Sequence, residues 1–145
     1  MAHRSPWQSD AVQVDLVDGT YELFRYHFSP GGGHVNGLGE QVGAVRGVLR
    51  SVVSLLEAGA THIAVATDHV VESFRNEMFD GYKTGEGIDP ELFAQFPLLE
   101  DALEALGVAV LPMVDVEADD GLASAAAVAV ADGRPSRIVI RTPDK

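Results

Sequence analysis

The chain has 145 residues, no cysteine and a formal net charge of −12. That length suffices for one domain with a sizeable core, and the missing cysteines exclude disulfides and thiolate metal sites. The acidic excess, with Lys83 and Lys145 as the two lysines, argues against a broad basic surface for nucleic acid. It leaves room for an enzyme that meets phosphates through metal ions and a few local cations.

Residues 1–11 read as a flexible lead without the apolar centre of a signal peptide, and one domain is expected over 12–145. The longest apolar run, Ala123 to Ala131, is too short and too rich in alanine to span a bilayer. No membrane association is expected, and the composition fits a reducing cytoplasm.

Val12 to Val17 reads as a strand that ends at Asp18-Gly19; Asp15 interrupts it, unusually for a strand buried on both faces. Thr20 to Phe28, with Arg25 on it, predicts a helix. Ser29 to His34 is a loop, and Gly31 to Gly33 lacks the spacing of a phosphate-binding fingerprint. Leu38 to Ala58 repeats apolar residues at helical spacing and ends at Gly59. Thr61 to Thr67 predicts a second strand, stopping at Asp68.

Phe74 to Gly85 mixes aromatic and charged residues. Asp89-Pro90 is a helix start, with Asp89 as N-cap and Pro90 at the first helical position; that helix runs to about Leu106 and ends at Gly107. Val108 to Leu111 is a third strand. Val116-Glu117-Ala118-Asp119-Asp120 follows, then an alanine-rich helix to about Ala131. Arg137 to Arg141 is the fourth strand, leading into Thr142-Pro143-Asp144-Lys145. Strands alternating with helices predict a parallel sheet covered by helices on both faces.

The acids follow the strands. Asp18 and Asp68 close the first two; Glu117, Asp119 and Asp120 come after the third, and Asp144 after the fourth. In a parallel sheet these ends share one edge, where α/β sites form. Each acid alone has an ordinary reading, as a turn residue or in a helix's first turn. Together they repel unless a cation neutralises them. Hard oxygen ligands suit Mg²⁺, Mn²⁺ or Ca²⁺. Two such ions about 3.5–4 Å apart can generate a hydroxide and stabilise an in-line phosphoryl displacement.

Val17-Asp18-Gly19, Val65 to Asp68, Ser73-Phe74-Arg75-Asn76-Glu77, Gly81-Tyr82-Lys83, Val116 to Asp120 and Thr142 to Lys145 occur in this order. Together they resemble the N-terminal 5′-3′ exonuclease domain of bacterial DNA polymerase I and its flap-endonuclease relatives, over roughly Val14 to Lys145. The resemblance implies a PIN-like three-layer α/β/α fold with a mainly parallel sheet. It implies cleavage of DNA or RNA/DNA hybrids at 5′ flaps and ends, with Mg²⁺ or Mn²⁺.

By position, Asp18, Asp68, Glu117, Asp119, Asp120 and Asp144 match the family's metal-site acids. Lys83, Arg25 and Arg75 match basic residues near the scissile phosphate, where a cation would polarise it. Tyr82 could stack on a base, and it could equally serve packing. An ion pair with a neighbouring acid is the alternative role for Arg75.

The sequence also departs from the family. Thr84 to Gly87 is not basic where the family is, and Asp15 stands where an apolar residue is usual. The family's next aspartate and its duplex-gripping region would lie past Lys145. A fragment of a longer enzyme is therefore expected, with an incomplete second metal site and little activity alone.

Two other classes fit parts of the sequence. A haloacid-dehalogenase-like phosphatase needs Asp-x-Asp-Gly-Thr, but here Asp15-Leu16-Val17-Asp18 has one residue too many. That parity turns the two acids to opposite faces of a strand. A non-catalytic acidic binding module of the same fold is the other.

Overall fold

In the computed structural model, residues 11–69 and 89–143 are described. The lead, the Phe74 to Gly85 stretch and Asp144 lie outside the described residues.

β1 (Val12–Asp18), β2 (His62–Asp68), β3 (Ala109–Met113) and β4 (Pro135–Arg141) form one sheet in the order β3-β2-β1-β4. Every neighbouring pair is parallel. The helices among the described residues are α1 (Gly19–His27), α2 (Gly43–Glu57), α3 (Pro90–Leu106) and α4 (Ala118–Asp132). This is the expected three-layer α/β/α arrangement.

Strand alternation decides what each face carries. One face sends Val17, Ile63 and Val65 into a core with Leu23, Val48, Val52, Leu92, Phe96, Leu99 and Leu103, so α1, α2 and α3 lie there. The other sends Leu16 and Ala66, flanked by Val14, Ala64, Leu111 and Ile138, against Ala118 and Leu122 of α4. Small side chains let α4 lie close, and it touches all four strands. Gly121 makes the closest approach, because a Cβ there would stand 2.5 Å from the Met113 sulfur.

The helix ends follow local chemistry. Asp89 caps α3 by accepting from the Glu91 N–H at 2.9 Å, Pro90 occupies the first turn, and Gly107 closes it with φ 91°. For α2 the expected start at Leu38 is corrected to Gly43. The apolar spacing extends upstream, but residues 36–41 close a small loop, with Val35 bridged to Gln41. The N-cap Val42 has no side-chain oxygen to offer. The fully buried Gln95 of α3 serves instead, its Oε1 accepting the Ala44 and Val45 N–H groups at 3.0 and 3.2 Å.

Asp15 lies in a central strand and is 5% exposed. Arg141 of β4 answers it, Nε to Oδ1 at 2.7 Å. The pair keeps a carboxylate in the interior tolerable and ties the end of β4 to the middle of β1. No helix among the described residues is long and apolar enough to cross a membrane.

Candidate active site

The same alternation that builds the α4 core continues to the strand ends. Asp18 follows Leu16 by two residues, Asp68 follows Ala66, and Thr142 follows Ile140, so all three share the α4 face of the sheet. Register pairs Asp18 with Ala66, which puts Asp68 two residues, about 7 Å, further along the neighbouring strand.

Asp18 is 6% exposed, and one of its oxygens accepts the Tyr21 N–H at 3.0 Å, capping α1. α1 can begin at once because residue 19 is glycine. A Cβ there would stand 2.6 Å from Val65 Cγ1 and 3.0 Å from the Ala66 carbonyl oxygen.

Asp68 is held similarly. Its Oδ1 accepts the Ala118 N–H at 2.9 Å, so it caps α4 from across the sheet, and its own N–H donates to Thr20 Oγ1 at 2.9 Å. Glu117 is the N-cap residue of α4 but makes no side-chain cap, which leaves that amide to Asp68. Asp119 and Asp120 occupy the first turn; Glu117 and Asp120 are exposed, and Asp119 is half-buried.

Burial pushes the Asp18 carboxyl above its ordinary value, and the nearby Asp68 charge adds to that. Hydrogen bonds from the Tyr21 amide, and with the Asp119 and Thr142 side chains, work in the opposite direction. Asp18 thus draws elements from three parts of the chain to one point. A hydrogen bond between two carboxyl groups needs a proton, or else a cation in its place.

The donor set fits a hard divalent cation: oxygen ligands only, with a buried acid that two neighbouring acids crowd. Among the described residues, however, no three acids or histidines stand close enough to enclose an ion. Backbone geometry gives the reason. Asp18 and Asp68 each give an oxygen to a helix amide, they stand two residues apart in register, and Glu117 and Asp120 face solvent.

Arg25 stands apart from this group. It pairs with Glu22 at 2.6 Å and lies over the Tyr26 ring at 4.4 Å. Asp144, Arg75, Tyr82 and Lys83 lie outside the described residues. Asp15 faces the α1–α3 side, opposite Asp18, and is engaged by Arg141, so the two acids do not form a phosphatase pair.

Two supporting residues were not picked out from the sequence, Thr142 beside Asp18 and Thr20 beside Asp68. Their signal was position: a hydroxyl just past a strand end, on the face that carries an acid.

The chain matches the family described as "5′-3′ exonuclease, N-terminal resolvase-like domain" over residues 13–145. It is 37% identical over 134 residues to the thermostable DNA polymerase I of Thermus aquaticus, covering 92% of this chain and 16% of that protein. It is 32% identical over 145 residues to DNA polymerase I of Deinococcus radiodurans, covering 99% and 15%. With DNA polymerase I of Pseudomonas aeruginosa the figures are 36% over 133 residues, 90% and 14%. The chain thus spans less than a fifth of the length of the curated relatives it matches. A buried aspartate at the end of β1, met by acids from β2 and α4, sits within a match that covers nearly the whole sequence, and the chain belongs to the 5′-3′ exonuclease N-terminal, resolvase-like family.

Proposed function

We propose that this chain is the site-bearing domain of a metal-dependent 5′-3′ exonuclease and 5′-flap endonuclease. It would hydrolyse phosphodiesters in DNA, and in RNA/DNA hybrids, during replication and repair in the cytoplasm. The observation that carries this is Asp18 with Asp119, Thr142 and Asp68 gathered about it at the carboxyl edge of a parallel sheet. The names of its relatives as DNA polymerases support DNA as the substrate.

Asp18, Asp68 and Asp119, with Asp120, Glu117 and Asp144, would hold Mg²⁺ or Mn²⁺. When bound, such ions lower the pKa of a water and stabilise charge on the phosphate. The chain's own groups do the rest. The Tyr21 and Ala118 amides fix one oxygen each of Asp18 and Asp68, which limits how the other oxygens can turn. The Thr142 hydroxyl braces Asp18 from just past the end of β4. Lys83, Arg75 and Arg25 are the cations available to the scissile phosphate, and Tyr82 the aromatic that would stack on a base.

Titrating Mn²⁺ into the chain and following thermal unfolding tests the ion site. Saturating metal should stabilise by about 2.7 kcal/mol at a hundredfold excess over Kd, and Asp119→Asn should remove most of that gain. Cutting of labelled 5′-flap DNA that appears only with metal would support the nuclease reading, and little of it is expected from this chain alone. Equal melting of chain and variant in metal and in EDTA would overturn the site, and release of phosphate from a chromogenic ester would favour a phosphatase.

A further inference from the structure

Charge along this chain is uneven. Between Leu23 and Leu56 the charged side chains are Arg25, Arg46 and Arg50 against Glu40 alone, in a sequence whose balance is −12. Arg46 and Arg50 lie one helical turn apart on α2, both exposed, with about 5–6 Å between Cβ atoms. Among the described residues neither has an ion-pair partner.

The two arginines border a cleft of about 200 Å³ that the glycine run Gly31 to Gly33 also lines. A wall without side chains lets a ligand backbone come close. Tyr26 forms the floor. Its ring lies where a Cβ on Gly47 would be, and its hydroxyl is hydrogen-bonded to Ser51.

Arg50 and Tyr26 also border a second cleft, of about 350 Å³, which Arg25 and Arg141 line. The residue after Arg141 is Thr142, whose side chain is hydrogen-bonded to Asp18. Arg141 lies on the α1–α3 face and Thr142 on the α4 face, so the second cleft ends at the carboxyl edge of the sheet, one residue from the side chain that meets Asp18. Orientation agrees: α2 leads through Ala60 into the start of β2, so its first half, with Arg46 and Arg50, lies toward the carboxyl edge of the sheet.

We propose that Arg46 and Arg50 form a docking surface for the phosphate backbone of a nucleic acid, which holds the substrate away from the cleaved bond and feeds it past Arg141 to Asp18. Two guanidinium forks without ion-pair partners among the described residues suit phosphate oxygens. Arg25 and Arg141 are already answered by Glu22 and Asp15, so they contribute less net charge. Contacts of this kind position a strand without reading its sequence. The inference rests on the nucleic-acid reading above, but its test needs neither metal nor cleavage.

The test is fluorescence anisotropy of the 145-residue chain with a labelled hairpin duplex carrying a 5′ overhang, in EDTA, across a KCl series. Arg46→Gln/Arg50→Gln should weaken binding about tenfold or more at low salt, what one lost charge-assisted contact is worth. It should lower the slope of log K against log salt by roughly 1–2, since each phosphate contact contributes about 0.9. The loss should be alike for unrelated sequences, and melting should be unchanged because both side chains are exposed.

Arg134→Gln/Arg137→Gln, at the opposite sheet edge, should leave the slope as it is. Equal slopes for the chain and the Arg46/Arg50 variant would overturn the surface, as would no binding by the unaltered chain. Polyglutamate displacing the DNA at equal charge would also overturn it and point to an acidic protein instead. A normal slope loss with no metal-dependent rise in melting would keep the surface and overturn the ion site; a metal-dependent rise with an unaffected slope would do the reverse.

Discussion

The two faces of the sheet are built to different standards. The α1–α3 face buries large residues completely, among them Leu23, Leu92, Leu99, Leu103, Val48 and Val52. The α4 face relies on Leu16, Ala66, Ala118 and Leu122. An apolar groove of about 480 Å³ stays open between the later turns of α4 and β1 to β3, and Val128 and Val130 are 71% and 68% exposed. The thick face holds the fold together, while the thin face carries the carboxylates. α4 packs tightly only through its first turns, where Ala118 meets Asp68 and Gly121 meets Met113.

The largest test of that contrast is truncation in each layer. Leu103→Ala should cost about 2–5 kcal/mol in urea unfolding, through lost burial and the cavity left behind. Val128→Ala, already exposed, should stay within about 0.5 kcal/mol. Comparable losses at the two sites would mean that the thin face is better covered in solution than its groove implies.

Glycine replacement sharpens the comparison at the site. Gly19→Ala drives a Cβ into Val65 and the Ala66 carbonyl oxygen, a backbone neighbour that cannot turn aside, and should cost about 1–3 kcal/mol. It should also displace Asp18 and so weaken Mn²⁺ binding. Gly121→Ala meets the Met113 side chain, whose flexible thioether can move, and should cost less. A reversed order in thermal melting would show that α4 is the more rigidly seated helix.

The smallest effect is electrostatic. The Asp18 carboxyl is raised above its ordinary value, so the folded state takes up a proton more readily than the unfolded chain. Stability due to this group therefore falls as pH rises from the ordinary carboxylate range through the folded pKa, and stays lower above it. Asp18→Asn should remove that fall and melt higher than the unaltered chain at neutral pH without metal. Mn²⁺ should reverse the ranking. A variant that melts lower at neutral pH in EDTA would show that the Tyr21 and Thr142 hydrogen bonds outweigh the burial of the charge.

Much of this was legible in one dimension. Short apolar runs placed the four strands, and apolar spacing of about 3.6 placed α2, because burial leaves its mark on the sequence whatever the topology; aromatic content, a local cap and alanine richness placed the other described helices. Asp89-Pro90 and Gly107 marked the ends of α3 because capping chemistry is local. Acids following each strand pointed to one edge because parallel strands end together. The start of α2 was misjudged for the opposite reason. Its first amides are capped by Gln95, some fifty residues away, and no local signal records that.

Sequence alone determined the element types, their alternation, the family motifs and the set of candidate acids. Tertiary structure decided which acids meet. β2 pairs with β1 in a register that holds Asp68 two residues beyond Asp18. α4 crosses all four strands and brings Asp119 to Asp18, and β4 beside β1 adds Thr142. It also decided that Asp15, which reads as a flaw in a buried strand, is answered by Arg141 from the far end of the chain. Strand order and register are set by long-range packing, and a partner more than a hundred residues away leaves no periodicity in the sequence to read.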